Sequence, residues 1–517
     1  CGGTRLLHRR RRGDGGKRMS VIDIFHAPRG FVFEDFETRG VLTDRGEVTL
    51  RYPVLTPETV QDLCETTRCN RSQTLAAYSV EHIVDIIGEA VELWTNPDYE
   101  GRQIAESLIP SITGYDATMT RIELKRYMRM FRRRELLRFL DDELPSPRML
   151  DEYRPNKSGG YTRLYGPDLT FHVFSSNVPG IPVWSMTMSL LTKSAIIGKS
   201  SFDEPLMPVL FARSLTQINP DLADVLAIVP WRGGTVELED VAIGEANAVI
   251  AYGSSHTTEA IRPRVSAGKP FLSYGARIGF SLIGREALRA DTHVQTVHRM
   301  AVDVATYDQQ SCLAPQTIFV ERGGAISPAQ TAELLASELD SQQRKYPRST
   351  PSDTESLAIR RARSQTEMQA LFMTSMTPDS AAQADPQAPF VIESPQGTDW
   401  TVLYYPNTSS LPSLGTPLNR TINIVAVDQL KHALPTLKPY REWLQTCAIA
   451  TSSSRLFALA QQVGEYGIDR ICPVGEMNRA KSGWHHDGGF NILDLVRAVD
   501  IERNTDRYAD TFDIDYE

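Results

Sequence analysis

No run of about 18 apolar residues occurs in the 517-residue chain, so no membrane-spanning helix is expected. Cysteine is scarce, with six residues at positions 1, 64, 69, 312, 447 and 472, and no C-x-x-C pair among them. Cys64 and Cys69 have no His/Cys cluster close by, so neither a disulfide framework nor a zinc site is expected. A reducing, cytoplasmic setting fits that usage. Positive charge is in deficit too. Net charge is −9, and residues 1–18 hold seven Lys/Arg against one Asp, so the remainder carries −15. An acidic body of this kind excludes a general nucleic-acid binder. Finally, no G-x-G-x-x-G follows any strand-like run, so the ordinary dinucleotide fingerprint is missing.

What is present is ordinary globular composition, 41% hydrophobic and 23% charged, over a length that implies two or more domains. The Gly- and Arg-rich opening, up to Met19-Ser20, is expected to be a disordered tail or a mis-called start. Short strand-like pieces follow at Gly30–Phe33 and Val48–Tyr52, then helical spacing from Glu81 to Trp94. The Arg132-Arg133-Arg134 run reads as a solvated face. From about 168 to 290 the pattern alternates strand and helix. Apolar runs at Leu169–Phe174, Ser194–Lys199, Val225–Val229, Ala248–Tyr252, Pro270–Tyr274 and Ile278–Ile283 predict a mostly parallel, doubly wound sheet. Residues 345–420 are rich in Pro, Ser, Asp and Gln, especially Thr377 to Pro389, and read as long loops.

Polar residues collect at the ends of these strands, where such sheets bind ligands. Ser175-Ser176-Asn177 follows the first, Lys199-Ser200-Ser201 the second, and Gly253-Ser254-Ser255 the fourth. The amide of Asn177 could donate to an oxyanion, Lys199 could hold a ribose or phosphate, and the Gly253-Ser254 turn leads to a helix N-terminus suited to a pyrophosphate. Farther on, Thr306-Tyr307-Asp308-Gln309-Gln310-Ser311-Cys312 sets one cysteine in a polar turn just before a strand-like run. A thiol placed there, among free backbone N–H groups, suits a nucleophile whose pKa is lowered. His485, His486 and Asp487 form a late polar cluster. Adjacent histidines point apart in regular structure, so a metal site is disfavoured against a structural role and a cleft-lining or proton-relay one. Cys472, His172 and His256 read as structural.

The order of these pieces resembles the aldehyde dehydrogenase superfamily, and more closely the acyl-CoA reductase (LuxC-type) family. The matching stretches are FHVFSSNVPGIPVW (171–184), AIIGKSS (195–201), AYGSSHTTEAI (251–261), LSYGARIGFSLI (272–283), YDQQSCLAPQ (307–316) and RICPVGEMNRAKSGWHHDGGF (470–490). The resemblance implies an aldehyde-dehydrogenase-like α/β fold, with a doubly wound parallel-sheet cofactor domain and an α/β catalytic domain. On that reading 20–290 hold the N-terminal helical region and nicotinamide domain, 291–470 the catalytic domain with Cys312, and 471–517 a returning C-terminal segment. Residues 1–19 stand outside. Cys312 would accept the acyl group, with Asn177 and the Cys312 N–H as the oxyanion hole. Lys199, with Ser201 beside it, would face the adenine ribose, and Gly253 and Ser254 the pyrophosphate.

The activity so implied is NADPH-dependent reduction of a fatty acyl-CoA or acyl-protein thioester to the aldehyde. An acyl-protein synthetase partner and a homo-oligomer are implied with it. One departure bears on direction. Hydrolytic relatives carry a general-base Glu in Leu-Glu-Leu-Gly-Gly, whereas this chain has Leu272-Ser273-Tyr274-Gly275-Ala276, which favours acyl reduction over aldehyde oxidation. A Cys312/His485 acyltransferase and an acyl-carrying subunit without nicotinamide chemistry remain as alternatives.

Overall fold

The computed structural model describes residues 20–44, 46–376 and 386–505. The chain divides into two units. The first runs to Thr113, resumes over Arg121–Gly275 and takes the chain again from Phe490; the second holds Gly114–Thr120 and Ala276–Gly489. The expected tail, residues 1–19, lies outside the described residues, as do residues 377–385 of the expected loop region.

The first unit opens on a small sheet of β1 (Ser20–Asp23), β2 (Phe36–Thr43) and β3 (Gly46–Pro53), with β1 parallel and β2 antiparallel to β3. Gly30–Phe33, expected as a strand, is a loop instead. Gly30 takes a φ of 81°, the Phe31 N–H closes a turn on the Pro28 carbonyl, and the Phe31 and Phe33 rings pack on each other at 5.1 Å. Helices follow. In Val80–Thr95, Ser79 caps the N-terminus and Ile83, Ile87, Val91 and Trp94 line the buried stripe. Arg132 and Arg133 form ion pairs with Glu92, and with Glu81 and Asp85, on that helix's exposed face.

After β4 (Arg154–Pro155) and β5 (Tyr161–Tyr165) come the five strands of the main sheet. These are β6 (Leu169–Val173), β7 (Ala195–Ser200), β8 (Leu226–Pro230), β9 (Ala248–Tyr252) and β10 (Phe271–Tyr274). All run parallel in the order β10-β9-β6-β7-β8. From β6 through β9 every strand residue is buried, as expected for a sheet covered on both faces. Strand order reverses at β6, and a crevice beyond the carboxyl ends there is the usual place for a ligand.

The second unit is built on β11 (Ile278–Ile283), β12 (Pro315–Glu321), β13 (Phe390–Glu393), β14 (Thr401–Tyr405), β15 (Thr421–Val427), β16 (Leu444–Ala450) and β17 (Arg470–Cys472). They lie in the order β13-β14-β15-β12-β11-β16-β17, parallel except for edge strand β13. Returning to the first unit, β18 (Arg497–Ile501) pairs antiparallel with β5.

The expectation of long loops over 345–420 is corrected here by a 24-residue helix, Asp353–Met376. Its Pro- and Ser-rich signals come from the flanks. Ser352 starts it with reciprocal bonds to Glu355, whose N–H donates to the Ser352 hydroxyl while the carboxylate accepts from the Ser352 N–H. Inside, no Pro or Gly interrupts the run.

Candidate active site

In the second unit, the helix His293–Ala305 ends just before a turn that three side-chain-bearing residues enter left-handed, Tyr307 (φ 52°), Asp308 (51°) and Gln309 (66°). Such conformations cost of order 1–3 kcal/mol each unless their surroundings enforce them. Here they do. A second left-handed triplet, Leu418 (φ 60°), Asn419 (53°) and Arg420 (59°), is bonded to the first. Arg420 donates to Asp308 Oδ1 from Nε (3.0 Å) and Nη2 (2.7 Å), with both side chains fully buried. Asp308 Oδ2 accepts from the Ser349 N–H (3.0 Å) and hydroxyl (2.9 Å). The Gln309 amide pairs with the Thr421 backbone, donating to its carbonyl and accepting from its N–H, each at 2.9 Å.

This braced turn delivers Cys312, half-buried, three residues before β12. Among the described residues no carbonyl or side-chain oxygen accepts the Cys312 N–H. That leaves a donor beside the thiol, where an oxyanion could develop. Gln445, on β16, donates from its side-chain amide to Asp487 Oδ1. Asp487 is held at a φ of 53° and accepts at Oδ2 from Arg277 Nε (3.0 Å) and Nη2 (2.6 Å). Burial pushes the Cys312 thiol up to about 12, the Asp487 carboxylate adds to the rise, and Gln445, Arg277 and the residue's own N–H oppose it. A lowered value was expected from sequence; desolvation outweighs the polar turn, so the resting group is the neutral thiol.

The His485-His486-Asp487 stretch splits as adjacent side chains do. His485 is exposed and His486 is buried beside the Trp484 ring at 4.6 Å, while Asp487 joins the Cys312 cluster. Burial pushes His486 down to about 4, so it is neutral at physiological pH. Among the described residues no three His, Cys, Asp or Glu side chains group as a metal would require. The loop bearing these residues is anchored by Asp303, whose carboxylate accepts the N–H groups of Gly475 (2.6 Å) and Met477 (3.0 Å). His172 bonds Ser185 and Ser189 inside the first unit, and Cys472 is buried.

In the first unit, Asn177, Lys199, Ser201, Gly253 and Ser254 all lie at or just beyond the carboxyl edge of the parallel sheet. Asn177 is half-buried in the turn between β6 and the helix Ile181–Leu191. Three residues on, Gly180 is required, since a Cβ there would lie 2.4 Å from the Tyr127 ring. Lys199 is only 6% exposed, yet no acceptor lies within hydrogen-bonding distance of its ammonium among the described residues. Burial lowers its pKa, and Glu239, already bonded to Gly234 N–H and Arg264, pulls it only partly back. Ser200 Oγ and Trp231 Nε1, at the same edge, are buried without partners. A cation and two orphaned polar atoms at strand ends fit an anionic, hydroxyl-bearing cofactor. The Ser201 hydroxyl accepts from the Asp203 N–H at 3.2 Å, and Ser254 caps the short helix Ser255–Ile261. Gly253 donates its N–H to the Tyr274 carbonyl at 3.1 Å. Ser273, on β10, accepts a bond from Arg262 Nη2 at 2.9 Å.

Gln445 and Arg277 were not anticipated. The available signal was an amide in the mostly apolar strand Leu444–Ala450, where burial demands a polar partner.

The family model for acyl-CoA reductase (LuxC) matches residues 75–498. The chain is 24% identical to the long-chain acyl-protein thioester reductase of Aliivibrio fischeri, over 82% of this chain and 83% of the relative. To the protein of that name from Photorhabdus luminescens it is 23% identical, over 89% and 88%. Among solved structures, it is similar to an NAD-dependent benzaldehyde dehydrogenase from Corynebacterium glutamicum, with a TM-score of 0.67, 14% identity, and coverage of 93% of this chain and 98% of that one. An NADP-dependent glyceraldehyde-3-phosphate dehydrogenase from Bacillus halodurans, complexed with NADP, gives a TM-score of 0.67, 13% identity and coverage of 93% and 99%. These likenesses show an aldehyde dehydrogenase fold.

Proposed function

The chain belongs to the acyl-CoA reductase (LuxC) family, and from that premise we propose that it reduces a long-chain acyl thioester, acyl-CoA or acyl-protein, to the fatty aldehyde with NADPH. The observation that carries this reading is Cys312 itself, presented on a cross-braced turn with its N–H unspent. The Cys312 sulfur attacks the thioester carbonyl, and its N–H, with the Asn177 amide in the role the resemblance assigns it, stabilises the oxyanion. Losing one such donor typically costs about 2.7–4 kcal/mol. Because Cys312 rests as a thiol, its proton leaves as the new S–C bond forms and ends on the departing thiolate. One thioester replaces another, so the acyl-enzyme accumulates.

When bound, NADPH supplies the hydride that carries the acyl-cysteine to the thiohemiacetal. In the first unit the buried Lys199 would meet the cofactor's ribose or phosphate, with Ser201, Gly253 and Ser254 along the same edge. No Glu stands three residues after Lys199; the position is Phe202, and Glu204 is buried and bonded to the N–H groups of Leu206 and Met207. That arrangement favours the 2′-phosphorylated cofactor. With Ser273 at the position of the general base, the acyl group is spared from water. A reducing cytoplasm keeps Cys312 available, a synthetase that transfers fatty acyl groups is the natural donor, and a homo-oligomer is the form the superfamily resemblance favours. Among the described residues no helix is long and apolar enough to cross a membrane.

Intact-mass measurement after incubation with a panel of acyl-CoAs tests this. An acyl adduct on the wild type, absent from Cys312→Ala and discharged as aldehyde on adding NADPH, is the expected result. An adduct that NADPH leaves in place would mean an acyltransferase or carrier.

A further inference from the structure

The small N-terminal sheet is pinned to the edge of the main parallel sheet. His26, three residues after β1, exchanges backbone bonds with Ile228 on edge strand β8, at 2.8 and 2.7 Å. Arg213 Nη2 donates to the carbonyls of Asp23 (2.7 Å) and Phe25 (3.2 Å). In the β2–β3 ladder Glu37 stands opposite Tyr52 and Arg39 opposite Leu50, so Arg39 and Tyr52 share one face. Both meet the same residue at the carboxyl edge of the main sheet. The Tyr52 ring lies edge-on to the Phe202 ring at 4.9 Å, and Arg39 Nη1 donates to the Phe202 carbonyl at 2.8 Å. That bond leaves the rest of the guanidinium fork unspent. Arg29, Arg51 and Arg68 are paired with Asp224, Asp23 and Glu245. Arg39 is different: among the described residues neither Glu37, two residues before it, nor Asp203, beside Phe202, nor any other carboxylate pairs with it.

Phe202 stands three residues after Lys199, on the turn that leaves β7. The Lys199 ammonium reaches the loop after β8, where a Cβ added at Gly233 would sit 3.9 Å from Nζ. Glycine keeps that approach clear, and Ser200 Oγ and Trp231 Nε1 wait beside it, buried without partners. We infer that this corner seats the 2′-phosphate of the cofactor's adenine ribose, and that Arg39, carried in by the N-terminal sheet, is a specificity-determining residue that favours NADPH over NADH. The inference rests on the reading of this edge as the cofactor's. Its chemistry follows from where the two cations lie. Lys199, at 6% exposure, suits an oxygen that reaches into the fold. Arg39 is exposed at the rim, where its planar fork matches two oxygens of a phosphate. A phosphomonoester is close to doubly charged near neutral pH, whereas a ribose hydroxyl is neutral. An Arg at the rim therefore separates the two cofactors, while the buried Lys serves both. Phe202 helps by what it lacks, since its side chain brings no carboxylate to repel the phosphate.

Calorimetric titration of the full chain with adenosine 2′,5′-bisphosphate and with 5′-AMP tests this without acyl donor or turnover. The wild type is expected to bind the bisphosphate more tightly. Arg39→Leu should weaken bisphosphate binding about tenfold or more, the worth of one bond to a charged group, and leave 5′-AMP binding unchanged. Arg39→Lys keeps the charge and loses the fork, so its preference should fall between the two, and it guards against a folding defect. Equal weakening of both nucleotides in Arg39→Leu would make Arg39 a prop for Phe202 alone. A preference undiminished in Arg39→Leu would put the phosphate elsewhere. Either result overturns the inference and leaves the cofactor reading standing. A wild type that binds neither nucleotide, or both alike, would instead remove the NADPH reading and the inference with it.

Discussion

On the proposed reading, Ser273 is where a single side chain sets what water can do to the acyl-enzyme. By resemblance it occupies the position of a general-base Glu, yet restoring that Glu alone is not expected to restore hydrolysis. Arg262 donates to the Ser273 hydroxyl at 2.9 Å and lies over the Phe271 ring at 5.0 Å, so a carboxylate at 273 would be ion-paired on arrival. Pairing favours the charged form and makes the carboxylate a weaker base. Ser273→Glu should therefore leave the acyl adduct almost as long-lived as in the wild type. Ser273→Glu with Arg262→Gln should shorten its lifetime by at least about tenfold, a fraction of the roughly 10²–10⁴ that a well-placed general base contributes. The adduct's half-life in buffer without NADPH, followed by mass spectrometry, decides between them. An equally long-lived adduct in the double variant would sink the argument. At this scale Cys312, Asn177 and Lys199 stood out as candidates in the sequence because a thiol, an amide and a cation each stood beside an apolar run. Gln445 and Arg277 did not, since their meaning comes from a carboxylate some 40 or more residues away in sequence.

The elements themselves followed from hydrophobic runs wherever burial was two-sided. Ala248–Tyr252 and Ile278–Ile283 appear as strands with the bounds read from sequence. The Asp353–Met376 helix was hidden by its Pro- and Ser-rich flanks, and the two left-handed triplets by the absence of glycine, the usual marker of positive φ. Tertiary bonds impose those triplets, and the central one joins Asp308 to Arg420 with no exposure on either side. Removing one partner strands the other charge, a loss of about 3–5 kcal/mol. Arg420→Met is expected to lower stability by that amount in urea denaturation and to slow acyl transfer, because the same bonds hold the turn that carries Cys312. A change below about 1 kcal/mol, the scale of an exposed pair, would show that the brace is dispensable.

For the molecule as a whole, the cost of the edge proposed to hold the cofactor should be visible before any cofactor binds. Lys199 is buried with no acceptor, and burial sets its pKa below the ordinary lysine value. The unfolded chain therefore binds more protons than the folded one between the lowered value and 10.5. Stability contributed at this site is poorest at neutral pH and recovers as pH rises through that window. Lys199→Met should accordingly make the protein without cofactor more stable near pH 7, by about 1 kcal/mol or more, with the advantage shrinking toward pH 10. NADPH reverses the comparison. At 100 times its dissociation constant it adds about 2.7 kcal/mol to the wild type, and a tenfold loss of affinity in the variant would cut that to about 1.4 kcal/mol. Denaturation midpoints of both proteins, at two pH values with and without NADPH, give all the numbers needed. Were Lys199→Met less stable than wild type without cofactor and equally protected with it, Lys199 would be a packing residue, and the assignment of this edge to NADPH would lose its main physical support.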